Sequence, residues 1–278
     1  MFKKVLIANT LARLANDSFI QPMEEMNTYL CWFGAISYTF QLYFDFSGYS
    51  DMAIGLSKMF GFDFPENFEM PYRSISIRNF WTRWHISLSS FFKDYLYIPL
   101  GGNRKGSVKT LSNLLIVFLL TGLWHGANNT FIVWGLIHGG FIIFEKIGLE
   151  KLLSKIPNFL RVVYVFIVVL LAWIPFRATN LNYAFNFYKN LFSVTAETNA
   201  TVVWSYFSTD FIVAFILAIL LSFVSVRKNK FIENFRESGK LFSELFFSVR
   251  AIVLLAVLFF SAVYLISGTY NPFIYYQF

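Results

Sequence analysis

Gly122-Leu123-Trp124-His125-Gly126-Ala127-Asn128 closes an apolar run that begins at Leu114. Extended back to residue 108, the segment is a candidate membrane-spanning helix, which needs about 20 mostly apolar residues. It ends on an imidazole between two glycines and beside a tryptophan. Ionisable groups at membrane depth are expensive, so a histidine there marks a functional site by default.

The composition agrees with a membrane setting. The 278 residues are 56% hydrophobic and 14% charged, with 36 Phe. Soluble domains are about 45–50% apolar and about 25% charged, and so few charges cannot cover a water-facing surface. The expected fold class is all-α: a polytopic integral membrane protein, a multi-helix bundle with amphipathic or re-entrant helices. Candidate spans are residues 108–124, 130–144, 160–176, 211–226 and 250–266. Residues 29–60 are too long for one straight span and short for two. Asp45 and Asp51 flank Gly48 there, which predicts a broken or re-entrant pair. Residues 1–20 form an amphipathic stretch without the core or cleavage site of a signal peptide.

The net charge of +7 is distributed by loop. Residues 61–109, 145–161 and 227–250 hold 17 Lys and Arg, whereas residues 126–129, 178–210 and 268–278 hold only Lys189. This is the positive-inside pattern. It puts the basic loops in the cytoplasm, residues 81–104 on the inner side and His125 toward the outer face. The expected partner of the basic patches is therefore the lipid bilayer, with no nucleic acid. Cys31 is the single cysteine, which excludes an internal disulfide and any cysteine-based metal cluster. His85, His125 and His138 lack the close pairing of a helical zinc site, and no metal is expected. Nucleophile-elbow, P-loop and dinucleotide motifs are absent from the sequence.

Within residues 79–100, Trp81, His85, Leu88, Phe92 and Leu96 recur at helical spacing. An amphipathic helix is expected at the inner membrane face, with His85 on its buried side and a turn at Pro99 to Asn103. Imidazole titrates near neutrality, so His125 can act as a general base on a sugar hydroxyl attacking an activated acyl group. Gly122 and Gly126 would permit close approach of backbone or substrate. Trp124 and Asn128 could supply a wall and a hydrogen bond. His85 reads either as a second site residue or as interfacial packing. Arg78, Arg83 and Lys93 could attract donor phosphates or anchor the segment at the membrane, with Trp81 beside them. Asp45 and Asp51 could orient a histidine, pair with a loop arginine, or sit at a wet bend. His138 reads as a helix-packing residue, about 140° from His125 on a continuous helix.

At these residues the chain resembles the membrane-bound O-acyltransferase family, in the branch of alginate and peptidoglycan O-acetyltransferases. The resemblance rests first on Gln41-Leu42-Tyr43-Phe44-Asp45-Phe46-Ser47-Gly48-Tyr49-Ser50-Asp51 and on Asn79-Phe80-Trp81-Thr82-Arg83-Trp84-His85-Ile86-Ser87-Leu88-Ser89. It continues in Lys93-Asp94-Tyr95-Leu96-Tyr97-Ile98-Pro99-Leu100-Gly101-Gly102-Asn103-Arg104, in Thr121-Gly122-Leu123-Trp124-His125-Gly126 and in Pro272-Phe273-Ile274-Tyr275-Tyr276-Gln277-Phe278. It implies one membrane-embedded domain over residues 1–278, built around a central acyl-transfer tunnel. The first two-fifths of the family's usual fold is expected to be missing. His125 would be the catalytic histidine and His85 a second one at the opposite mouth of a thin partition. No cofactor is expected to be held; acetyl-CoA or another acyl donor would be a substrate. The acceptor would be a glycan, reached with an extracytoplasmic O-acetyltransferase partner. A carrier-dependent D-alanyl transferase and a non-catalytic scaffold for that partner are the competing readings.

Overall fold

The computed structural model describes residues 1–22, 25–193, 203–224 and 240–267. Among them there are helices and no strand. A π-helical stretch, Lys3–Ala8, runs directly into α1 (Asn9–Ile20). Ile7, Leu11, Leu14 and Ala15 are buried on one side of this rod, against α2 (Thr28–Met59). Asn27 caps α2 by accepting the Leu30 amide at 2.8 Å, and Gly61, at φ +80°, lies just past its end.

The predicted break in residues 29–60 does not occur: α2 is one helix of 32 residues, about 48 Å long. Gly48, about two-thirds of the way along it, serves packing. A Cβ on Gly48 would meet Lys3 Cβ and the Lys4 amide nitrogen at 3.1 Å. The N-terminal rod therefore lies along the segment that the sequence reading bent.

The segment after α2 is also reshaped. In place of one amphipathic helix there are α3 (Ile77–Trp81), α4 (Ile86–Phe92) and a π-helical turn, Lys93–Tyr97. The break falls at His85, whose φ of 44° and ψ of 56° lie in the left-handed region. Trp81, His85 and Leu88 are still buried, as the stripe required, with Phe92 and Leu96 half-buried. Left-handed backbone costs a residue other than glycine of order 1–3 kcal/mol, and such residues cluster at functional sites.

α5 (Gly106–His125) and α6 (Asn129–Phe144) form a tight hairpin. The helical path of α6 continues, kinked at Gly148, through Glu145–Leu149 and α7 (Glu150–Leu153). A Cβ on Gly122 would lie 2.4 Å from the Phe131 carbonyl oxygen, and one on Gly135 2.3 Å from that of Phe118. Lipid supplies no hydrophobic drive between helices, so small residues and close backbones hold such pairs. Next come α8 (Asn158–Arg177), α9 (Leu181–Leu191), α10 (Thr209–Phe223) and α11 (Lys240–Ser267).

Helical runs at Gly106–His125, Asn129–Leu153, Asn158–Arg177 and Glu244–Ile266 are long and apolar enough to cross a membrane. Of the candidate spans, residues 211–226 differ most. α10 has 15 residues, about 22 Å, because the backbone turns extended at Val224; residues 225 and 226 lie outside the described residues. The Glu244–Ile266 helix is almost bare inside the protein.

Gly122→Ala should lower thermal stability in detergent by about 1–3 kcal/mol, the usual range for overpacking. Gly140→Ala, where a Cβ meets nothing within 4 Å, should be neutral or slightly stabilising. Equal behaviour of the two variants would contradict the close-packed hairpin.

Candidate functional site

α5 delivers His125 on its last residue, and α6 starts four residues later. Asn128 makes that turn: its Oδ1 accepts the Thr130 amide at 3.2 Å and its Nδ2 donates to the Thr179 carbonyl at 3.0 Å. Both ends of its amide are thus spent on backbone. The space beside Gly126, expected to admit substrate, is filled by the Phe131 ring, which a Cβ would meet at 2.6 Å.

The two histidines of the candidate site meet across one indole. Trp124 lies 4.9 Å from the His125 ring and 6.2 Å from the His85 ring, centroid to centroid. His125 also packs edge-on against Trp134 at 4.9 Å and Phe176 at 5.1 Å. Trp124 itself is 54% exposed, so the pair has an open side.

His85 is gripped from its own loop. Asn67 Oδ1 accepts the Ser87 amide and lies 3.0 Å from the Ser87 hydroxyl, and that hydroxyl lies 3.3 Å from His85 Nδ1. If the hydroxyl donates to the carboxamide oxygen, it must accept from Nδ1–H, which leaves Nε2 unprotonated. Phe46 packs on the ring at 4.7 Å. Burial pushes the His85 pKa down to about 4, so at neutral pH the imidazole is uncharged.

Beside this cluster is a cavity of about 740 Å³ with a cationic lining: Arg78, Lys93, Arg104 and Lys146, with Glu145 and Glu150. Trp81, Phe118 and Thr121 line it as well. Trp81 is 5.7 Å from Trp134, which in turn touches His125. One indole therefore separates the cavity wall from His125. Four cationic side chains at one cavity suit a polyanionic ligand, phosphate above all.

Other sequence candidates lie elsewhere. Arg83 does not line the cavity; its Nη1 donates to the Glu69 carbonyl at 3.3 Å. Asp51 pairs with Lys3 at 2.8 Å, and buried Asp45 pairs with Lys4. These carboxylates hold the N-terminal rod to α2, in place of a histidine or a loop arginine. His138 is fully buried, and its Nδ1 accepts the Trp81 indole N–H at 3.3 Å. The turn after His125 replaces the continuous helix from which its bearing was judged, and Trp134 touches both rings. Among the described residues no group of three His, Cys, Asp or Glu is placed to hold a metal ion.

Sequence reasoning missed Arg104, Lys146, Glu145 and Trp134. Lys146 was visible only as a member of a basic loop and Arg104 only as the last residue of a family-like stretch, and nothing in their spacing set them apart. Arg104 reaches the cavity because Asn113 of α5 holds the preceding turn, donating to the Gly102 carbonyl at 3.2 Å.

The sequence matches the membrane-bound O-acyltransferase family over residues 18–185, which contain all three histidines and the whole cavity. The chain belongs to this family. With the apolar helices, membership makes it an integral membrane protein. It is 54% identical over 192 residues to a Pseudomonas fluorescens protein named "probable alginate O-acetylase", covering 69% of this chain and 38% of the relative. The peptidoglycan O-acetyltransferase of Helicobacter pylori is 44% identical over 194 residues, covering 69% and 37%. The teichoic acid D-alanyltransferase of Bacillus subtilis is 40% identical over 108 residues, covering 36% and 27%. The chain thus spans a little over a third of the length of the first two relatives.

Removing one partner of a buried ion pair typically costs about 3–5 kcal/mol, whereas replacing both by apolar residues can be neutral. Asp45→Ala should therefore destabilise the purified protein strongly, and the Lys4→Met, Asp45→Leu double variant should recover most of the loss. Detergent melting curves read this directly. A double variant no better than Asp45→Ala would contradict a purely structural pair.

Proposed function

We propose that the chain carries the acyl-transfer site of a membrane O-acetyltransferase acting on a cell-envelope or secreted polysaccharide, in the bacterial cytoplasmic membrane. One observation carries the reading. His125 and His85 flank a single indole, and a cationic cavity ends one aromatic ring away from His125. The names of the alginate and peptidoglycan relatives supply the reaction class and the kind of acceptor.

The charge asymmetry supports the direction of transfer. All four cavity cations belong to segments that the positive-inside rule assigns to the cytoplasm. The donor, acetyl-CoA or another phosphate-bearing acyl donor, enters there, while His125 lies at the outer end of α5. An acceptor hydroxyl attacks the acyl carbon as His125 takes its proton. The carbon–sulfur bond breaks as the ester bond forms, and the proton taken by His125 passes by way of His85 to the departing thiolate, leaving both imidazoles neutral. Trp124 screens the reacting atoms, and an extracytoplasmic partner carries the product onto polymer.

Proteoliposomes with radiolabelled acetyl-CoA inside and alginate oligosaccharides outside test this. Ester label should accumulate outside, and Arg78→Ala or Arg104→Ala should each raise KM for acetyl-CoA about tenfold, the worth of a charge-assisted hydrogen bond. Transfer only from a D-alanyl carrier protein would replace this reading with the D-alanyl one. No transfer from either donor would favour the scaffold.

A further inference from the structure

α3 is a helix of five residues, too short to be stable unaided, yet it carries Arg78 and Trp81 to the cavity. Both of its ends are held by one neighbour. At its N-terminus, Glu145 accepts the Ile77 amide at 2.6 Å through Oε1 and the Arg78 amide at 3.2 Å through Oε2. Tyr164 donates its hydroxyl to the same carboxylate at 3.2 Å, and Ser76 accepts the Asn79 amide at 2.9 Å. The first amides of a helix lack intrahelical partners, and a carboxylate satisfies them with the favourable sign of charge. At the other end, the Trp81 indole donates to His138.

His138 and Glu145 are seven residues apart along α6 and its continuation. Two helical turns separate them, about 10.5 Å on the same face, which matches a short helix gripped at both ends. Glu145 is only 4% exposed and takes the backbone amide of Arg78, not its guanidinium. Among the described residues no carboxylate lies within ion-pair distance of that guanidinium. The backbone is fixed while the charged end is left for a ligand.

We propose that Glu145 is a positioning residue which, through the α3 backbone, holds Arg78 at the cavity for a phosphate-bearing acyl donor. The inference rests on the donor reading above and adds to it a cavity-lining residue whose carboxylate acts through the α3 backbone.

The test uses the full chain purified in detergent, with coenzyme A as the probe. CoA affinity is measured by calorimetry for the wild type, Glu145→Leu, Arg78→Ala and the double variant. Glu145→Leu should weaken CoA binding about tenfold. Glu145→Gln, which keeps one acceptor oxygen, should recover most of it. On the Arg78→Ala background, Glu145→Leu should change affinity less than twofold, because the residue acts through Arg78. Additive losses, or unchanged affinity in Glu145→Leu, would overturn the assignment. Amide exchange at Ile77 and Arg78, measured without CoA, separates this failure from that of the donor reading. Faster exchange in Glu145→Leu is expected, and unchanged exchange overturns the clamp itself. Faster exchange with a wild type that binds no CoA would leave the clamp standing and overturn both the donor reading and the service to Arg78.

Discussion

Backbone contact between α5 and α6 is the constraint on which the candidate site depends. Gly122 and Gly135 let the helices approach until the carbonyls of Phe131 and Phe118 occupy the space that side chains would take. That approach fixes where α5 ends, so His125 projects against Trp134 of the partner helix. The same partner helix carries His138 and leads into Glu145, the two groups that grip α3. The site is therefore assembled from one hairpin and a short helix docked on it, rather than from residues close in sequence.

Electrostatics divides the molecule into two tasks. Lys3 and Lys4 are paired with Asp51 and Asp45, so charge at this end of the bundle holds the N-terminal rod against α2. At the cavity Lys93 lies 3.8 Å from Asp94, but Arg78 and Arg104 have no carboxylate within ion-pair distance among the described residues, and the buried Glu145 is spent on backbone amides. Cations beside acids stabilise the fold, and cations left without them are available to a ligand. Arginine suits that second task, since its planar fork matches phosphate oxygens in pairs.

The membrane class, the spans at α5, α6 and α8 and the place of His125 at the end of a span were legible in the sequence, because each rests on a local pattern: an apolar run, a low share of charge, a turn signal after the imidazole. Two features misled it for physical reasons. Gly48 beside two aspartates reads as a bend, but the glycine admits the Lys3–Lys4 backbone and the aspartates meet those lysines. The stripe from Trp81 to Leu96 reads as one helix, but a left-handed His85 interrupts it while leaving its buried side buried. The cavity was out of reach of local reading. Arg78, Arg104 and Lys146 converge only through long-range contacts, and Glu145 looks like an ordinary acidic residue at a helix end.

The central claim is acyl transfer through His125, and base-labile acetate on purified envelope glycans and exopolysaccharide tests it most directly. Cells would carry the native gene, a deletion, or His125→Ala at matched protein level. The account predicts that deletion and His125→Ala remove acetate from the same glycan to the same extent. Acetate lost in the deletion but kept in His125→Ala would contradict it.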